Sequence, residues 1–150
     1  SGAAPAPPLR IAPDTYSRNR WIARACGAVF GPGEAFTARD IQNKETQYTR
    51  AKGFDTFAPF GPCVEVGGTR GPRTIEGFVN GVRRQHSSTS NMIFPIEFLV
   101  EYITFVMTLE PGDIIATGTP AGVGAIVAGD TVSVRIEGVG ELVNTVRAEG

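Results

Sequence analysis

The chain has 150 residues, 41% of them hydrophobic and 19% charged, with a formal net charge of -1. A chain of this length buries roughly 68–70% of its unfolded surface, so one domain with a real core is expected, and the charge balance argues against a polyelectrolyte tail or a basic nucleic-acid binder. The 19 Gly and 11 Pro punctuate regular structure and exclude an all-helical bundle.

Residues 1–13 are rich in Ala and Pro and predict a disordered tail, with one domain over 14–150. Ser1 to Pro8 lacks a basic segment followed by an apolar one, and no apolar run approaches the roughly 18 residues that span a bilayer. A soluble, cytoplasmic protein without membrane or nucleic-acid partners is therefore expected. Cys26 and Cys63 are too few and too far apart for a disulfide framework or a zinc site, and are expected as buried or half-buried thiols.

Between Tyr16 and Phe30, Trp21, Ile22, Ala25 and Cys26 have helix-compatible spacing, ended by Gly31-Pro32-Gly33. Thr37 to Tyr48 is polar and free of Gly and Pro, which predicts a short helix. Phe54 to Pro62 interleaves aromatics with Gly and Pro and suits an irregular loop that walls a pocket. In Phe78-Val79-Asn80-Gly81-Val82-Arg83, the Asn-Gly pair accepts the positive φ angles of a two-residue type I′ hairpin. Ile96, Leu99, Val100, Ile103, Val106 and Met107 recur at three and four residues, one apolar face of a helix that packs on the domain, with Pro95 at its first position.

Glu110 to Asp113 is a turn and Ile114 to Thr117 a short β-prone run. It feeds the loop Gly118-Thr119-Pro120-Ala121-Gly122-Val123-Gly124. After the turn at Gly129-Asp130, Val132, Val134 and Ile136 alternate with polar residues, and Leu142 to Val146 closes the chain as a strand. The sum is a mostly β, α+β domain with one packed helix.

The glycine loop offers backbone N–H groups and the Thr119 hydroxyl to an anion, yet it is neither a Walker loop nor a dinucleotide fingerprint. Lys52, between Ala51 and Gly53-Phe54, can present an ammonium to a carboxylate. On a helix, Arg39 and Gln42 share one face and can hold an oxygen-rich ligand together. Taken alone, each feature reads by default as plain loop or solvated surface. His86, the only histidine, lies in a polar stretch and reads as solvated.

These pieces occur in one order. Thr37 to Gln42, Tyr48 to Pro62, Val79-Asn80-Gly81, Arg84-Gln85, Ser88 to Phe94, Met107 to Gly124, Gly129-Asp130 and Ile136 to Gly140 together resemble the catalytic domain of the fumarylacetoacetate hydrolase family. The resemblance implies a mixed β-sandwich roll, a homodimer, and Mg²⁺ or Mn²⁺ stabilising an enolate of a small oxo-acid. The reactions it implies are C–C bond hydrolysis of an acylpyruvate or β-diketo acid, decarboxylation, or isomerisation. It also implies catalytic roles for Arg39, Gln42 and Lys52, and a carboxylate cradle of Lys52, Gly118, Thr119 and Pro120.

The chain departs from the family at the metal. Ala35 stands where the resemblance calls for an aspartate ligand, and residues 1–33 contain no glutamate and only Asp14, so no metal-ligating residue is assigned. A hard cation wants several oxygen ligands. The alternative reading is therefore a pseudoenzyme, or an oxo-acid-binding or interaction module without a metal site.

Overall fold

The computed structural model describes residues 9–11, 33, 35–65, 71–110 and 112–148. Its strands are β1 (Leu9–Ile11), β2 (Thr74–Val79), β3 (Val82–Ser88), β4 (Thr131–Ile136) and β5 (Gly140–Ala148). They form one antiparallel sheet in the order β1-β5-β4-β2-β3. The mostly β class expected from the sequence holds; among the described residues it is built on this one sheet.

Alternation explains which face is covered. Val134 pairs with Leu142 and Val132 with Asn144, and Val132, Val134, Ile136, Leu142 and Val146 are all buried. Phe36 and Ile126 pack against Val132 and Val146, and each such side chain contributes about 1.5–3 kcal/mol when removed from water. The opposite face is charged: Arg83 meets Glu76, and Arg135 meets Glu141 across neighbouring strands.

Asn80 (φ 51°) and Gly81 (φ 76°) turn β2 into β3, the positive-φ pair that a two-residue hairpin needs. Register shifts between Gly77 and Phe78, because Gly77 faces Gln85 while Phe78 faces Arg83. Arg84 is thus the extra residue of a β-bulge.

The helices correct several expectations. The single helix expected over Thr37 to Tyr48 is α1 (Arg39–Gln42), followed after a turn by α2 (Thr49–Lys52). Ala38 gives α1 no side-chain cap, so little sustains the helix beyond one turn. Between Ser88 and Ile96, Thr89–Asn91 form a 3₁₀ turn. The periodic helix appears as α3 (Ile96–Val106), with Pro95 at its N-cap rather than its first position. Its expected packing does not appear, because no α3 residue is buried and Phe94, Phe98 and Tyr102 stack in an exposed row. Periodicity identifies an apolar face, not what covers it.

Ile114 to Thr117 joins no ladder, and β5 is longer at both ends than expected. Cys63 is exposed rather than buried, its thiol donating to the Val139 carbonyl at 3.3 Å. β1 falls within the stretch expected to be a tail, while the helix expected between Tyr16 and Phe30, with Cys26, lies outside the described residues.

Candidate substrate cradle

Two small units carry the residues singled out by the sequence. The first is the corner of α1 and α2. Phe36 N–H donates to the Phe57 carbonyl at 2.8 Å and Ala38 N–H to the Ala51 carbonyl at 2.9 Å, so the strand-like entry to α1 is pinned on α2 and the aromatic loop. Ala51 and Phe57 are buried beneath it, with Phe54 and Phe36 against the Phe57 ring.

On this corner Arg39 Nη1 donates to Gln42 Oε1, the one-face pairing expected from their spacing. A guanidinium only donates, so the Gln42 oxygen is used and its NH₂ group remains a donor. Lys52 Nζ donates to Thr37 Oγ1 at 2.9 Å, which fixes the ammonium beside the same corner. The corner therefore presents donors and positive charge, the chemistry that suits an oxyanion.

The second unit is the loop from Gly118 to Gly124, irregular as expected. It is carried by β3: Gln85 Nε2 donates to Thr119 Oγ1 at 2.9 Å and to the Pro120 carbonyl at 2.8 Å. Gly118 adopts φ 114° and Gly122 φ 105°. A Cβ on Gly122 would lie 2.1 Å from the Arg84 carbonyl oxygen, so only glycine lets the loop rest on the bulge.

Within the first unit Arg39, Gln42 and Lys52 are together; Thr119 and Pro120 are held with Gln85 in the second. The hydrogen bonds of these residues do not run from one unit to the other. Gln85 is the residue that the sequence did not single out as functional. Its signal was the strand glycine Gly77 opposite it in the hairpin, where a Cβ would come within 2.9 Å of Gln85 Oε1.

The charged face of the sheet is a separate feature. Its shallow depression is lined by Thr74, Glu76, Arg135 and Glu137. The Arg83 side chain holds the Glu76 carboxyl below the ordinary glutamate value, and the Thr74 hydroxyl does the same for Glu137. His86 is exposed at 3.4 Å from Glu76, as its polar setting predicted.

The donors among the described residues do not assemble a divalent-cation site. Among the described residues, no three His, Cys, Asp or Glu side chains converge as a metal site, and the Ala35 side chain has no oxygen to offer.

These features define a mostly β domain in which a bulged hairpin supports a glycine loop and a helical corner displays cationic donors. The chain belongs to the fumarylacetoacetate hydrolase family: residues 19–147 match the family described as Fumarylacetoacetate (FAA) hydrolase C-terminal. It is 53% identical over 113 residues to an uncharacterised protein of Methanocaldococcus jannaschii, covering 75% of this chain and 48% of that one. It is 42% identical over 120 residues to the oxaloacetate tautomerase YisK of Bacillus subtilis, covering 73% and 40%. Its structure resembles that of 5-carboxymethyl-2-hydroxymuconate delta-isomerase from Mycobacterium smegmatis, with a TM-score of 0.69 at 50% identity over 71% of this chain and 43% of the other. The chain spans about half the length of the curated relatives it matches. Among the described residues no helix is long and apolar enough to cross a membrane.

Proposed function

We propose that this chain binds a small oxo-acid and takes part in its C–C bond hydrolysis, decarboxylation or isomerisation as a fumarylacetoacetate hydrolase family enzyme. The observation that carries the reading is the donor array on the α1–α2 corner, with Arg39 bonded to Gln42 and Lys52 bonded to Thr37. All three reactions develop enolate charge next to a carboxylate, and fixed donors that need no reorganisation stabilise such charge. Lys52 neutralises the carboxylate, Arg39 and Gln42 donate to the developing oxyanion, and Gly118, Thr119 and Pro120 bind the carboxylate from the glycine loop. Relatives named as a tautomerase of oxaloacetate and as an isomerase support this substrate class. A homodimer in the cytoplasm, with no nucleic-acid or membrane partner, completes the proposal.

A second reading is an oxo-acid-binding or interaction module without Mg²⁺ or Mn²⁺, favoured because Ala35 stands where the family resemblance calls for an oxygen ligand and no carboxylate cluster forms among the described residues. A turnover screen with oxaloacetate and acylpyruvates, with and without Mn²⁺, separates the two. The enzyme reading expects turnover of at least one substrate that Lys52→Met reduces roughly tenfold or more, the worth of about 1.4 kcal/mol of transition-state stabilisation. Oxalate binding without turnover under either condition overturns it and leaves the binding module.

A further inference from the structure

We propose that Gln85 is a positioning residue for the cradle: its amide fixes the Thr119 hydroxyl as a donor to the carboxylate of the bound acid. The inference rests on the oxo-acid reading above and adds a residue on a different strand. Gln85 Nε2 is 2.8 Å from the Pro120 carbonyl oxygen and 2.9 Å from Thr119 Oγ1. A carbonyl only accepts, so the Gln85 atom facing it is the NH₂ group and the orientation of the amide is settled chemically.

One amide hydrogen then goes to Pro120 and the other to Thr119 Oγ1. Thr119 accepts at its oxygen, and its own O–H hydrogen is left to donate elsewhere. A hydroxyl held in this way meets a carboxylate without first giving up a competing internal bond. Alone on a glycine loop, it would turn freely between donating and accepting.

Three further features keep Gln85 in place. Gly77 faces it across the hairpin, and a Cβ there would crowd both its Oε1 at 2.9 Å and its Cβ at 3.3 Å. The bulge at Arg84 shifts the strand register immediately before Gln85, and bulges re-aim the side chains beside them. Gly122 lies so close to the Arg84 carbonyl that the loop and β3 are held together just beyond Thr119 and Pro120.

The test is a mutant cycle read by calorimetric titration with oxalate, a dianion that presents adjacent carboxylates but has no bond for these reactions to break. Gln85→Met keeps the bulk and removes the amide; Thr119→Val keeps the shape and removes the hydroxyl. Each single change is expected to weaken oxalate roughly 10- to 100-fold, the loss of one hydrogen bond to a charged group. The double variant is expected to bind as weakly as Thr119→Val alone, because Gln85 acts through that hydroxyl. Should Q85M not fold, Gln85→Asn, too short to reach the loop, gives the same cycle.

Unchanged affinity in the Gln85 variant beside a loss in Thr119→Val overturns the inference and leaves the cradle reading standing. Additive losses in the double variant also overturn it, since they assign Gln85 a structural role independent of Thr119. Absence of oxalate binding to the unaltered protein overturns the cradle reading and the inference together.

Discussion

Asn144 is the residue whose environment is hardest to reconcile with folding alone. It is 1% exposed in the apolar face of β5, opposite Val132, and among the described residues neither its Oδ1 nor its Nδ2 has a hydrogen-bond partner. Leaving a buried polar group unsatisfied costs about 1–3 kcal/mol. Asn144→Val, which suits a strand between Leu142 and Val146, is therefore expected to stabilise the fold by about that amount in urea denaturation. A loss of stability instead would reveal a polar partner for the amide, such as an enclosed water. Alternation in β5 placed this residue inward, but no local pattern could disclose the want of a partner, which is a property of everything packed around it.

At the scale of elements, the hairpin and the β4 turn are clamped together. Asn80 N–H donates to the Thr131 carbonyl at 2.8 Å, Asn80 Nδ2 to Asp130 Oδ1 at 2.8 Å, and Thr131 N–H to Asn80 Oδ1 at 2.9 Å. Val127 N–H donates to Asp130 Oδ2, and this bond first, then that from Asn80, holds the Asp130 carboxyl below the ordinary aspartate value. A lowered folded value means that the clamp's contribution is present above the ordinary value and fades as the pH falls through the folded one. Asp130→Asn is thus expected to lower the melting temperature at neutral pH, with the gap to the unaltered protein closing in acid; a gap that persists in acid would sink this account. The Asn80-Gly81 hairpin and the α3 periodicity were legible because both are written within a few residues. The role of Gln85 was not, since Thr119 and Pro120 lie 34 and 35 positions away. The strand expected at Ile114 to Thr117 failed for a related reason: β propensity makes a segment willing, but only a partner edge makes it a strand.

For the whole molecule, two global quantities act against solubility at the same pH. The sequence pI is about 5.8, so mutual repulsion between copies is weakest slightly on the acid side of neutrality. There the apolar surface of α3 is expected to drive association: Phe105 is 91% exposed, next to exposed Tyr102, Val106 and Met107. Contiguous apolar surface of this kind promotes association. Light scattering across pH 5 to 8 is expected to peak near the pI, and Phe105→Lys is expected to lower the peak and move it to higher pH by adding one positive charge. Because Phe105 has almost no packing to lose, its replacement is expected to leave stability within about 0.5 kcal/mol. A large destabilisation would mean instead that the α3 face is covered in solution, and that the helix belongs to an interface between copies.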